Sequence, residues 1–259
     1  RPLWAVKQNL PAVFDNEEIA SKLASIEPSD APSYRTKLLT VLHQHLAAAK
    51  TKIEQDFYHN NDGAIYVGQH ARCIDGLLSL LHDEAGKLMP QSHDITVIAV
   101  GGYGRGEMAP FSDIDVMFLM PAKTSKKHEA AIEFILYLLW DLGLKIGHST
   151  RSINEAITAG RDDQTVMTSF LEMRLVCGNA ALWTKLSKAL RREISKSKPL
   201  AFVEEKLAER DLRHKRFDDT RYVVEPNVKD GKGGLRDLHS LFWIVKYAYR
   251  VDGIMDVLA

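Results

Sequence analysis

The sequence predicts a small α/β core between two helical regions, and three observations support this fold class. Two short apolar runs, Ile95–Val100 and Ile114–Met120, are rich in β-branched residues, as expected of buried strands. Longer segments on both sides place apolar residues at helical spacing. A glycine pair directly follows the first apolar run, and an Asp-x-Asp pair opens the second.

The N-terminal part, residues 1–61, is predicted to be a helical extension. Its first 33 or so residues contain several prolines and are expected to be irregular. A helix is predicted over Ser33–Tyr58, and Asn60–Gly63 should end it. The core, residues 62–152, then begins with a second helix, Ala64–Leu88.

The remaining elements follow the two strands. A helix is predicted over Lys127–Leu142, and Leu144–Arg151 is a third strand candidate. Residues 153–259 are predicted to form a helical domain, in which Gln164–Val176 is one of several helical segments. One extended segment, Tyr222–Gly234, interrupts these helices.

Composition limits the function classes. Lys plus Arg and Asp plus Glu number 34 each, so net charge gives no reason to expect nucleic-acid or membrane binding. No apolar run approaches the ~18 residues of a membrane span, and no signal peptide is visible. Cys73 and Cys177 form no CxxC pair, which fits a reducing, cytoplasmic location. The chain starts without Met, and we expect it to be a piece of a longer polypeptide.

Asp113 and Asp115 are the strongest candidates for catalytic residues and metal ligands. Residues two apart on a strand project from one face, about 6–7 Å apart. Two carboxylates on one face repel each other unless a cation lies between them. Oxygen ligands suit Mg²⁺, which proteins usually bind with one or two carboxylates plus substrate phosphates. The pair therefore predicts a phosphate ligand nearby.

The glycine pair can bind that phosphate. Gly101 and Gly102 follow a strand directly, and without Cβ atoms their N–H groups can approach an oxyanion. Arg105 is expected to add a charged contact, and Ser112 is a further candidate nucleotide-binding residue. The alternatives are a simple tight turn for the glycines and a turn cap at Ser112 and Asp113.

The joint pattern is more specific than any part of it. The glycine spacing is not the dinucleotide-binding G-x-G-x-x-G, and the chain has no Walker A sequence. The chain instead resembles the nucleotidyltransferase superfamily that includes DNA polymerase β. Its pattern is a strand, a Gly-Gly pair, ten further residues and an Asp-x-Asp pair inside a second strand.

The segment GGYGRGEMAPFSDID, Gly101–Asp115, resembles more closely still a motif of the family of PII uridylyltransferase/uridylyl-removing enzymes. The segment EPNVKDGKGGLRDLHSLFWIVK, Glu225–Lys246, is similar to a second motif of that family, after its catalytic core. The resemblance spans most of 62–259 and only the N-terminal portion of the family. Its later phosphohydrolase (HD) and ACT domains are not expected in this chain, nor is uridylyl removal.

The resemblance implies a nucleotidyltransferase core with a small mixed sheet flanked by helices, a helical N-terminal lead-in and a helical C-terminal annex. It implies transfer of UMP from UTP to a tyrosine of the PII protein, with Mg²⁺ held by Asp113 and Asp115. Lys229 and Arg236, in the second motif, are candidates to close over the nucleotide.

The chain departs from the wider superfamily at a third carboxylate, since Lys145–Arg151 contains no acid. His148 and Ser149 stand where this ligand is sought, although a structurally bonded histidine is the alternative. Two other functions stay open: adenylyl transfer to a protein such as glutamine synthetase, and a non-catalytic module that binds nucleotide or PII.

Overall fold

The computed structural model describes residues 10, 13–24, 31–216 and 225–251. In these ranges a four-stranded sheet lies among helices, which confirms the predicted fold class. The helices are α1 (Asn16–Ala24), α2 (Ala31–Asn60), α3 (Gly63–Leu88), α4 (Gly101–Gly104), α5 (Lys126–Asp141), α6 (Ile153–Asp162), α7 (Gln164–Leu171), α8 (Ala180–Lys196), α9 (Pro199–Arg216) and α10 (Leu235–Tyr249). The strands are β1 (Thr96–Ala99), β2 (Ile114–Leu119), β3 (Ile146–Arg151) and β4 (Arg174–Gly178), and a 3₁₀ helix covers Pro90–Asp94.

The sheet is mixed, as predicted, with strand order β3-β2-β1-β4. Strand β1 is antiparallel to both β2 and β4, whereas β2 and β3 are parallel. Because β1 and β2 are antiparallel neighbours, the end of β1 and the start of β2 lie at the same end of the sheet. The glycine pair and the two aspartates therefore meet there.

One face of the sheet packs on helices α2, α3 and α5 in a single apolar core. Val97 of β1 and Phe118 of β2 are fully buried in it, together with Leu77 of α3 and Ile135 of α5. The predicted break between the first two long helices is confirmed. Asn61 has a φ of 52°, and the Asp62 side chain caps α3 by accepting hydrogen bonds from the N–H groups of Ala64 and Ile65.

Two elements differ from the sequence prediction. Gln164–Val176 was expected to be helical throughout, but α7 ends at Leu171 and the chain then forms β4. Pairing with the buried strand β1 overrides the local helical preference of this segment. The lead-in was expected to be irregular, but it contains α1, which buries Ile19 and Leu23 and is capped by Asp15.

The extended segment predicted over Tyr222–Gly234 lies partly outside the described residues, since these resume at 225. From Glu225 onward it forms tight turns rather than extended chain. None of the helices among the described residues is long and apolar enough to cross a membrane.

The described chain divides into two compact units. The first contains the residues up to Ala156 together with Glu172–Lys185, and so holds all four strands. The second contains Ile157–Leu171 and the residues from Leu186 on. Its apolar core includes Phe202, Trp243 and Tyr247, and the rings of Phe202 and Tyr247 stack with their centroids 4.0 Å apart.

Candidate active site

The glycine pair forms a tight helical turn, α4, at the end of β1. Gly101 adopts a φ of 58°, in the left-handed region that favours glycine. The first hydrogen bond of the turn runs from the N–H of Gly104 to the carbonyl of Val100, at 2.9 Å. The N–H groups of Gly101 and Gly102 precede that bond, as at the start of any helix, so the turn offers backbone donors at the end of the sheet.

The two aspartates lie beside this turn. The N–H of Val100 donates to the carbonyl of Asp115 at 3.0 Å, which ties β2 to the residue before the glycines. Asp113 is exposed and Asp115 is half-buried. The structure thus brings Gly101, Gly102, Asp113 and Asp115 to one place, as the sequence pattern predicts.

Two glycines make room for the Asp115 carboxylate. A Cβ atom on Gly101 would lie 3.3 Å from its Oδ2, and a Cβ atom on Gly147 would lie 2.4 Å from its Oδ1. Gly147 pairs with Asp115 across the parallel strands β2 and β3. Any side chain at position 147 would displace the carboxylate, so this unforeseen glycine belongs to the site.

The electrostatics of Asp115 are unfavourable. Burial, together with the negative charge of Asp113, raises the pKa of Asp115 above its usual value. Within the described part of the chain, no group of three or more His, Cys, Asp or Glu side chains is arranged to hold a metal ion. The two carboxylates are therefore a partial oxygen ligand set, which fits a cation that also coordinates substrate phosphates and water.

The strand register separates the two candidates for the third ligand. Ser149 pairs with Met117, two residues beyond Asp115, so it lies on the same sheet face as Asp115. His148 pairs with Val116 and lies on the opposite face. Its ring makes an edge contact with Trp140 of α5, with centroids 6.2 Å apart. His148 is therefore engaged with a helix, whereas Ser149 is on the side of the carboxylates.

Arg105 lies in a network of carboxylates just after the glycine turn. Its Nη1 donates to Glu172 at 2.6 Å and its Nε to Glu107 at 2.9 Å. Burial disfavours the charged guanidinium, but Glu172 and Glu107 outweigh it and hold the pKa of Arg105 above its usual value. The structure thus shows Arg105 fastening the turn to the start of β4, and its contact with phosphate remains a prediction.

A second network, which the sequence analysis missed, holds the turn through Tyr103. The buried Tyr103 hydroxyl donates to Asp75 of α3 at 2.6 Å. Arg174 of β4 donates to both oxygens of Asp75, at 2.8 and 2.9 Å, and lies over the Tyr103 ring. Burial and the charge of Asp75 raise the pKa of Tyr103 well above its usual value, so the phenol stays a neutral donor. These contacts join residues that are far apart in the sequence, so no local sequence pattern reveals the network.

Ser112 lies in the exposed loop that leads into β2. Its N–H donates to the carbonyl of Ala109 at 3.1 Å, which closes a turn. Residues 109–113 are all exposed. The structure therefore places Ser112 next to the aspartates, and its role in nucleotide binding remains a prediction.

The second motif forms a glycine-rich loop, residues 225–234, that leads into α10. The side chain of Asn227 accepts hydrogen bonds from the N–H groups of Lys229 and Asp230 at 3.0 and 2.8 Å. Cβ atoms on Gly231 and Gly234 would lie 2.7 and 2.8 Å from carbonyl oxygens of this same loop. The glycines here make room for the chain itself.

The two candidate cations of this motif belong to the second compact unit. Lys229 is exposed, and Nε of Arg236 lies 3.7 Å from the Asp230 carboxylate. Their contact with nucleotide remains a prediction.

Asp237 fastens the loop to its surroundings. It accepts hydrogen bonds from the N–H of Gly233 at 2.7 Å and from Arg213 at 2.5 Å, and Nε2 of His214 lies 2.9 Å away. Burial alone would raise its pKa, but these three partners together hold the pKa of Asp237 below its usual value. The carboxylate is therefore well compensated by its neighbours.

Fold and site together define a nucleotidyltransferase domain: a mixed sheet with a glycine turn after one strand and paired aspartates on the next. A family model described as a nucleotidyltransferase domain accordingly matches residues 82–175. A second model, described as GlnD PII-uridylyltransferase, matches residues 201–259.

Three curated relatives are bifunctional uridylyltransferase/uridylyl-removing enzymes. The one from Rhodopseudomonas palustris is 42% identical over 92% of this chain and 27% of its own length. The one from Rhodospirillum rubrum is 41% identical over 95% of the chain and 27% of its length, and the one from Azospirillum brasilense is 39% identical over 96% and 28%. The chain therefore spans about a quarter of these relatives, and it corresponds to the nucleotidyltransferase portion of the GlnD uridylyltransferases.

Proposed function

We propose that this chain transfers UMP from UTP to a tyrosine hydroxyl of the PII protein and releases pyrophosphate. The observation that carries the proposal is the placement of Asp115, a carboxylate of raised pKa that lies between two glycines and beside a second aspartate. The similarity to uridylyltransferases over nearly the whole chain supports UTP as donor and PII as acceptor.

Asp113 and Asp115 would hold Mg²⁺, and their fit to this cation has a physical basis. Both side chains offer carboxylate oxygens as metal ligands. The charged form of Asp115 is disfavoured until a positive charge approaches it. When bound, Mg²⁺ would supply neutralisation of the triphosphate charge and a lowered pKa for the attacking phenol.

The residues of the chain hold the groups that would bind the nucleotide in fixed positions. The backbone N–H groups at the start of the glycine turn lie at the end of the sheet, where phosphate oxygens would bind. The Tyr103, Asp75 and Arg174 network fixes the turn relative to α3 and β4, so these donors need not be ordered during the reaction. The carbonyl of Asp115, bonded to Val100, keeps its carboxylate in register with the turn.

Nucleotide contacts of Gly101, Gly102, Arg105, Ser112, Lys229 and Arg236 belong to the same proposal. So does the division into an N-terminal extension (1–61), a core (62–152) and a helical domain (153–259). A cytoplasmic site of action fits two cysteines that are both free thiols.

The test is incubation with Mg²⁺, PII and α-labelled UTP, ATP or CTP in parallel, beside the double variant Asp113→Asn/Asp115→Asn. We expect label on PII from UTP alone, and at least about a 100-fold loss in the variant. Label from ATP alone would indicate adenylyl transfer instead. A folded chain that binds UTP yet labels PII from none of the three nucleotides would favour a binding module and reject the proposal.

A further inference from the structure

Phe111 combines exposure with an unusual backbone conformation, directly before the aspartates. Its side chain is 96% exposed, the highest value among the large apolar residues of the described chain. Its φ is 64°, in the left-handed region. Among the described residues, only Asn61 and Arg250 share this property without being glycine, and neither is apolar. A bulky residue adopts this conformation only when its surroundings hold it there.

The loop around Phe111 is exposed to solvent. All five residues from Ala109 to Asp113 are exposed, and the Ser112 N–H closes the turn on the Ala109 carbonyl. The loop is anchored at one end by the N–H of Met108, which donates to Val67 of α3 at 3.3 Å. At the other end the N–H of Ile114 donates to Lys145 at 2.9 Å. The ring is therefore presented outward from a fixed base, two residues from Asp113.

Small-molecule sites are concave and bury most of their ligand, so a ring that is 96% exposed is poorly placed to select a base. Protein–protein interfaces, in contrast, are enriched in aromatic side chains, which bury a large apolar area against the partner. The reaction proposed above requires a folded protein to bring a tyrosine hydroxyl to the end of the sheet, beside Asp113.

We propose that Phe111 is a docking residue for the acceptor protein, which packs an apolar surface next to its modified tyrosine against this ring. This inference rests on the proposed uridylyl transfer to PII and names a surface that the acceptor contacts. Phe111 takes no part in bond breaking; it acts by holding the acceptor in place.

Three variants test the contact. Phe111→Gly removes the ring and relieves the positive φ, so it does not weaken the fold. Phe111→Tyr keeps an aromatic ring at the same position. Asn61→Gly is the matched control, because it relieves the same backbone conformation in the first compact unit without removing an apolar side chain.

Initial rates of UMP transfer are measured while PII is varied at saturating UTP, and then while UTP is varied. Thermal unfolding and UTP binding with Mg²⁺ are measured on the same samples. For Phe111→Gly we expect a rise of at least tenfold in KM for PII, an unchanged KM for UTP, unchanged UTP binding and an equal or higher Tm. Phe111→Tyr and Asn61→Gly should behave like the wild type.

Other outcomes overturn the inference in separate ways. An unchanged KM for PII in Phe111→Gly rejects the contact, and a raised KM for UTP assigns the ring to the nucleotide pocket. An equal effect from Asn61→Gly would mean that backbone flexibility, not the ring, is responsible. If the wild type transfers no UMP to PII, the proposed function fails and the docking role fails with it. Normal transfer by all three variants rejects the docking role alone.

Discussion

The chain contains two glycine-rich turns beside a carboxylate, and they use their glycines for opposite purposes. Around Asp115, Gly101 and Gly147 leave space for a side-chain carboxylate whose pKa is raised. In the loop 225–234, Gly231 and Gly234 leave space for carbonyl oxygens of the loop itself, and the pKa of the nearby Asp237 is lowered. We expect the first carboxylate to bind a cation from outside the chain, whereas the second already has partners within it.

We propose that this difference separates a reactive site from a structural one. A glycine motif alone does not distinguish them, since both loops are rich in glycine and both contain candidate nucleotide-binding residues in the sequence. The environment of the carboxylate distinguishes the two loops. Asp237 is surrounded by a backbone N–H, an arginine and a histidine. For Asp115, burial and the charge of Asp113 both disfavour the charged form. Three substitutions test this contrast.

The largest expected effect is that of Gly147→Ala. The new Cβ atom would lie 2.4 Å from Oδ1 of Asp115, so the carboxylate must turn away. We expect kcat/KM for UMP transfer to fall about 10–100-fold, because small misplacements of reacting groups are costly. The unfolding free energy should change little, since an exposed strand position accommodates alanine.

Gly63→Ala is the matched control for that substitution. A Cβ atom there meets nothing within 4 Å, and the φ of Gly63 is not positive. It should leave activity at the wild-type level. Full activity in Gly147→Ala would mean that the position of Asp115 is not critical, and the comparison of the two loops would lose its basis.

Asp237→Asn should have the next largest effect, on stability. Losing a charge that accepts from Gly233 and Arg213 should cost about 1–3 kcal/mol at pH 7. Because the folded pKa is depressed, this stabilisation is present above the unfolded value of about 3.9 and is lost as pH falls through the folded pKa. Denaturant unfolding of the wild type and the variant at pH 7 and pH 3 measures the stability difference and its dependence on pH.

At pH 3 the difference in unfolding free energy between the wild type and Asp237→Asn should be smaller than at pH 7. A gap that stays constant with pH would assign the effect to packing rather than to charge. A variant as stable as the wild type at pH 7 would show that the three partners of Asp237 contribute no net stabilisation.

The sequence predicted the features that depend on neighbours along the chain. Strands β1 and β2, the glycine turn and the Asp113–Asp115 pair lie within 24 residues, and their pattern is local. It did not predict β4, whose residues were assigned to a helix, because pairing with β1 decides its conformation. Nor did it find Glu172 or Asp75, which contact Arg105 and Tyr103 across 67 and 28 residues. Gly147 gave no signal, since its role depends on the β2–β3 register.

The smallest expected effect is that of Asp115→Asn on stability. If burial and the charge of Asp113 both disfavour this carboxylate, an uncharged amide of the same size should cost the fold nothing. We expect Tm in EDTA to equal or slightly exceed that of the wild type, by less than about 3 °C. Added Mg²⁺ and UTP should raise Tm of the wild type more than that of the variant, because only the wild type keeps both carboxylate ligands. A clear loss of stability in EDTA would mean that Asp115, like Asp237, is compensated by the fold, and that the two loops are alike.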